Sequence, residues 1–251
     1  MRWRGRVLLW EEYGLFFGQA GEATLHASPA IKICISLDQA FGLRIADEDD
    51  WMDHYAAVIH AGQSHAIEGR AVPMAMLLIA PEGSLGQLLG GEGIDDIPDV
   101  TTKKILPLLQ RFADPNTSAD TVRQIYEDVV QNLAENYQAS VTDPRVAQSI
   151  EWIRVGREQG IIVGEIAAGV DLSEGRFSHL FTEHVRIPVR RYLLWLRLRE
   201  ALHLLANGGS LTETAHQAGF ADSAHLTRTF RTALGIAPSD LTKESTLISY
   251  L

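Results

Sequence analysis

The 251 residues include a single cysteine, Cys34, which excludes an intramolecular disulfide and suits a reducing cytoplasm. No apolar run reaches the ~18–20 residues that a membrane-spanning helix needs, so no membrane partner is expected. The opening, MRWRGRVLLW, is basic and then apolar, but its apolar part is too short for a secretory signal, and Glu11 and Glu12 follow at once. Positive charge is also scarce: 22 Lys and Arg stand against 32 Asp and Glu, a net −10. That deficit is uneven. Residues 1–142 hold 10 basic and 20 acidic residues, whereas residues 143–241 hold 11 arginines, 11 acidic residues and five histidines. The acidity therefore lies in the first part and does not exclude a polyanionic partner for the second. The length suggests two domains, each large enough for its own core.

What the chain does possess is a punctuated helical stretch at residues 210–238. Ser210 and Glu213 form a capping-box pair, so a helix carrying Leu211, Thr214 and Ala215 should start there. Gly219 suits a left-handed cap that ends it, and Phe220 can fold back as an apolar plug. Asp222 offers a carboxylate to the free N–H groups of a second helix. In that helix Leu226, Phe230 and Leu234 recur at four-residue spacing and should face a core, leaving Ser223, His225, Thr227, Arg228 and Arg231 on other faces. A short helix, a glycine turn and a polar-faced helix describe a helix-turn-helix, whose second helix enters the DNA major groove.

The chain repeats this pattern. GEIAAGVDLSEGRFSHLF aligns with ETAHQAGFADSAHLTRTF about 48 residues downstream, placing Ala167 on Ala215, Phe177 on Leu226 and Phe181 on Phe230. Between the copies runs PVRRYLLWLRLREALHLLA, a strongly apolar helical segment. Two such units on one connector resemble the AraC/XylS type of transcription regulator. Gly219, Phe220, Ser223, Leu226, Arg228, Phe230, Gly235 and Pro238 fit that family's signature, and Tyr192, Leu196, Arg197 and Leu198 resemble its connecting helix. The resemblance covers residues 143–241 closely and the rest of the chain loosely. It implies an α+β protein with an N-terminal cupin-like β-barrel at residues 1–97, a helical linker at 98–140, and an all-α DNA-binding domain at 141–251.

Residues 1–80 alternate short apolar runs with Gly, Pro and acidic breaks, which argues for a β-sandwich or small barrel. Ile31, Ile33 and Ile35 alternate with Lys32, Cys34 and Ser36, the pattern of a half-buried strand. His26, His60 and His65 are the metal-ligand candidates, since imidazoles on neighbouring strands can converge on one ion. The His-x-His pair of metal-binding cupins is here His26-Ala27-Ser28, lacking its second histidine. His26 and His65 are therefore expected to be structural or to line an organic-effector pocket, with no metal, cofactor or catalytic set. The stretch 81–98 reads as the way out of the barrel, and the acidic run 47–50 with Trp51 as a solvated loop. Helices follow at 101–113 and 118–137, broken at Asp114-Pro115-Asn116. In the second, Val122, Ile125, Val129 and Leu133 form an apolar stripe that either packs on the barrel or pairs two copies.

In the DNA-binding half Ser173 should cap a first reading helix running to Glu183, with Leu180 and Phe181 in the core. Gly175, Arg176, Ser178, His179 and Thr182 are its DNA-facing candidates, though Gly175 contributes no side chain. Arg186 stands where the family commonly has glycine, so that turn is expected to differ. By the resemblance, Ser223, His225, Thr227 and Arg228 match the second reading face, and Arg228 suits bidentate binding to guanine. The connector at 189–206 spans ~27 Å at ~1.5 Å per residue, near the ~34 Å between readers one DNA turn apart once helix widths are added. Arg190 and Arg191 sit where phosphates are met. The expected partners are double-stranded DNA, a small-molecule effector, a second copy of the chain and RNA polymerase. Two rivals remain: a cupin-type metalloenzyme with a helical appendage, and a protein-interaction factor with a degenerate helix-turn-helix half.

Overall fold

The computed structural model describes residues 2–10, 13–47, 49–114, 117–135, 137, 142–155, 162–243 and 245–249. The expected break at Pro115 and Asn116 and the boundary at 140/141 lie outside them. The protein is α+β: a β-rich N-terminal part is followed by helices. Among the described residues the first part supplies the strands β1 (Arg4–Leu9), β2 (Tyr13–Gln19), β3 (Glu22–Ala27), β4 (Ile31–Ser36), β5 (Phe41–Arg44), β6 (Met52–His54), β7 (Ala56–Ile59), β8 (Ser64–Glu68), β9 (Pro73–Ile79) and β10 (Ile94–Asp96). They form two sheets, in the orders β10-β7-β4-β9-β2-β1 and β3-β8-β5-β6, with antiparallel pairing throughout. The stretch read as an exit from the barrel in fact holds α1 (Ser84–Leu88) and β10, which returns to pair with β7.

Strand β4 departs from the half-buried reading, because all six of its residues are buried. Ile31, Ile33 and Ile35 face a cluster completed by α2 (Asp99–Gln110) and α3 (Ala119–Ala134). Cys34 belongs to the opposite cluster, between the sheets, and Lys32 shares its face. The alternation is real, but the polar positions point into the protein rather than to water.

The stripe Val122, Ile125, Val129 and Leu133 is at most 1% exposed and packs with Ile31, Ile33, Ile105 and Leu109. Burial of four such side chains is worth ~6–12 kcal/mol, more than pairing with a second copy could offer after stripping them from the sheet. The stripe is therefore core, and the reading of it as a dimer element is corrected.

The C-terminal helices are α4 (Pro144–Val155), α5 (Val163–Gly169), α6 (Glu174–Val185), α7 (Val189–Ala206), α8 (Leu211–Gln217), α9 (Ser223–Leu234) and α10 (Pro238–Thr242). One apolar cluster runs from the space between the sheets into these helices, through Trp195, Leu202, Leu234 and Leu241. A last strand, β11 (Ser245–Ser249), returns to the larger sheet and pairs parallel with β1.

Candidate nucleic-acid interface and effector cavity

The two helix-turn-helix units are built alike from local rules. In the second, the Ser210 side chain accepts from the Glu213 backbone and the Glu213 carboxylate accepts from the Ser210 N–H, so α8 starts on a complete capping box. Gly219 turns the chain at φ 76°, and Phe220 is buried behind it. Asp222 caps α9 by accepting from the His225 N–H at 2.6 Å, and this bond holds its carboxyl below the usual range. Leu226, Phe230 and Leu234 are buried as the spacing requires. On the opposite side Arg228 is exposed and makes no ion pair among the described residues, while Ser223, His225 and Thr227 are partly exposed. The Thr227 hydroxyl is occupied, donating to the Ser223 carbonyl.

In the first unit Ser173 caps α6 by accepting from the Arg176 N–H, and Phe177, Leu180 and Phe181 are buried. Arg176 and His179 are exposed, Ser178 and Thr182 are partly so, and Gly175 has open space around it. His179 lies 3.9 Å from Glu183, and Thr182 donates to the Ser178 carbonyl. The turn after α6 does not differ from its counterpart. Arg186 adopts the same left-handed cap (φ 65°) as Gly235 after α9 (φ 74°), at a cost of ~1 kcal/mol for a residue with a Cβ. The connecting helix α7 covers the expected residues and buries Trp195, Leu196, Leu198 and Leu202. At its start the two expected phosphate contacts are occupied: Arg190 is 3.3 Å from Glu174, and Arg191 donates to the Ala27 carbonyl at 2.8 Å.

The histidines separate into two sites. His26 and His65 lie on paired strands with ring centres 4.2 Å apart, whereas His60 bonds Asp95 at 2.8 Å elsewhere. Each of the first two donates Nδ1–H to a backbone carbonyl, His26 to Thr24 and His65 to Gln63. Their Nε2 lone pairs are thereby left to accept, and both accept from the Lys32 ammonium, His65 at 3.1 Å. Lys32 thus stands where a metal would sit between two oriented imidazoles. Among the described residues no three His, Cys, Asp or Glu side chains gather as a metal site. Burial and the adjacent ammonium keep both rings neutral, pushing His65 down to about 3 and His26 lower still. Burial also brings Lys32 down to about 8.

Lys32 lines a small apolar cavity of about 60 Å³ that is partly open to solvent. Phe16 and Met76 from the sheets, with Trp3 just before β1, form one side, and Leu202, Leu234 and Leu241 from the helices form the other. Reading the sequence missed Lys32, because a lysine alternating with isoleucines has the same pattern whether it faces water or an enclosed space.

Residues 166–244 match the family profile described as a helix-turn-helix domain. The HTH-type transcriptional activator RhaS of Klebsiella pneumoniae is 32% identical over 111 residues, covering 44% of this chain and 39% of RhaS. The HTH-type transcriptional regulator GbdR of Pseudomonas aeruginosa is 27% identical over 111 residues, covering 44% of this chain and 30% of GbdR. The chain thus spans well under two thirds of the curated relatives it matches. Among solved structures, ToxT of Vibrio cholerae superposes with a TM-score of 0.61 over 92% of this chain and 97% of its own, at 11% identity. ToxT with a bound unsaturated fatty acid gives 0.61 over 94% and 98%, also at 11% identity. Likeness at that identity shows a shared fold over nearly the whole length.

Proposed function

We propose that this chain, whose residues 166–244 form an AraC-type helix-turn-helix domain, is a sequence-specific transcription regulator that answers to a small molecule held between its two halves. The observation that carries the reading is the pair of like units joined by one helix, each with an exposed arginine, Arg176 on α6 and Arg228 on α9. Mobility shift on the DNA upstream of the chain's own coding sequence tests it. A salt-sensitive complex that survives excess random duplex is expected; equal competition by random duplex would reduce the protein to a non-specific binder.

The two readers should contribute unequally. Arg228 is exposed on a well-capped helix and makes no ion pair among the described residues, whereas α6 presents Gly175 where a reading side chain is expected. Arg228→Ala is expected to cost ~1–3 kcal/mol of discrimination at one base position, with the melting temperature unchanged. His179→Ala should cost less. Titration of operator variants reads both, and the reverse ranking would overturn the assignment.

For the effector, an acidic group on an apolar body suits the cavity best. Lys32 spends two N–H bonds on neutral histidines and lines an otherwise apolar space, so a carboxylate there would supply the counter-charge that the pocket lacks. The fatty-acid-bound state of ToxT supports the same class. A bound carboxylate needs Lys32 protonated. Affinity for a long-chain unsaturated fatty acid should therefore hold below about pH 8 and fall about tenfold per unit above it. Lys32→Met should bind weakly at every pH. Flat affinity to pH 10 in the intact protein would remove Lys32 as the anchor.

The remaining elements of the reading are a cytoplasmic location, no catalytic activity, pairing of two copies on DNA and contact with RNA polymerase. With the α3 stripe consumed by the core, the pairing surface lies elsewhere.

A further inference from the structure

We infer that β11 is a clamp in cis: it holds the DNA-binding helices against the sheets in an arrangement that withholds DNA contacts, and its release raises affinity for DNA. The inference rests on the regulator reading above. Strand β11 lies just beyond the matched helix-turn-helix segment, which ends at residue 244, so it is an addition to that module. It pairs with β1 over five residues, from Gly5↔Ser245 to Leu9↔Ser249, and the Ser245 hydroxyl donates to the Trp3 carbonyl at 3.2 Å. Leu247 joins the cluster between the sheets and Ile248 the cluster under α2 and α3, so the strand is anchored on both faces. An unpaired sheet edge is a ready template for such a strand.

Several groups with a stake in DNA binding are held down by this arrangement. Arg191, expected at a phosphate, gives an N–H to Ala27 of β3 instead, and its guanidinium is half-buried there. Gly235, which ends the second reading helix, accepts at its carbonyl from both the backbone and the hydroxyl of Thr24, each at 3.1 Å. Arg186, at the end of the first reading helix, lies 3.8 Å from Glu92. Gly91 and Glu92 share a cleft with His179, Thr182 and Glu183, which places a carboxylate from the acidic half beside the first reader. Exposed ion pairs and single hydrogen bonds are each worth ~1 kcal/mol or less. The strand adds a ladder of main-chain bonds and two apolar anchors, so it decides whether the smaller contacts persist.

The register pair Arg6↔Thr246 allows a reversible lock. The full chain carrying Arg6→Cys and Thr246→Cys would be titrated, oxidised and reduced, against labelled DNA from upstream of its coding sequence and against a labelled random duplex. Cys34 is buried and stays out of the chemistry. The oxidised form is expected to bind both DNAs about tenfold more weakly than the reduced form, with a salt slope lower by about one, for the phosphate contact Arg191 cannot make. Deleting residues 245–251 should strengthen binding by a similar factor while the helical circular dichroism is retained. Should the deletion fail to fold, the cross-link comparison decides alone. Equal binding by oxidised and reduced forms, or tighter binding by the locked form, would overturn the clamp and leave the regulator reading standing. Failure of every form to bind DNA would overturn both.

Discussion

Glu82→Ala is expected to lower the unfolding free energy by about 3–5 kcal/mol, because it breaks a buried ion pair. Glu82 follows β9, and its carboxylate accepts from Arg199 of α7 at 3.0 Å, with the two side chains 1% and 9% exposed. Removing the carboxylate strands a guanidinium inside an interface that water does not reach. Burial, with the same carboxylate alongside, raises the pKa of the Tyr192 phenol. Because the pair joins the segment leaving the sheets to the helix between the two helix-turn-helix units, its loss should loosen the halves as well as destabilise them. Replacing both partners, Glu82→Leu with Arg199→Met, should recover most of the stability, since no charge is then left buried. Urea unfolding of the three proteins measures this. A single variant as stable as the parent would show that the pair is solvated.

Acid should destabilise the protein steeply, and the histidine pair beneath Lys32 is the reason. In the unfolded chain each imidazole takes a proton near its ordinary value of 6.5, while in the folded protein His65 holds out to about 3 and His26 further. The unfolded state thus binds more protons throughout that window. Stability is complete above pH 6.5 and declines as pH falls towards 3. A depression of that size on His65 alone corresponds to ~5 kcal/mol, which rivals the ~5–15 kcal/mol that keeps a domain folded. The groups facing the pair are Lys32 and the carbonyls of Thr24 and Gln63, with Arg191 nearby. None supplies a negative charge to offset protonation. Thermal melts at pH 7.5 and 4.5 should show a large drop for the intact protein. The drop should be much smaller for His26→Gln with His65→Gln, whose neutral-pH stability is lower to begin with. Equal drops would assign acid sensitivity to carboxylates elsewhere.

The sequence by itself determined the helices of the helix-turn-helix half almost to the residue, because helix ends are short-range chemistry. Ser210 with Glu213, Gly219, Ser173 and Asp222 act on neighbours within one turn, and the connector expected at 189–206 is α7. Internal repetition added a constraint that no single helix carries. Where the sequence had only periodicity to offer, tertiary structure decided. The alternation in β4 shows that its two faces differ, but not that helices cover one and an opposing sheet the other, so Lys32 became an enclosed cation. The α3 stripe is equally apolar whether it meets a sheet or a second chain, and only the position of β4 chose between them. Arg186 occupies a glycine-like cap because packing on either side outweighs ~1 kcal/mol of backbone strain. The return of β11 to β1 joins residues some 240 positions apart, as do the walls of the cavity beside it. Contacts at that separation leave no local signal, because each strand's propensity is the same whatever edge it finds.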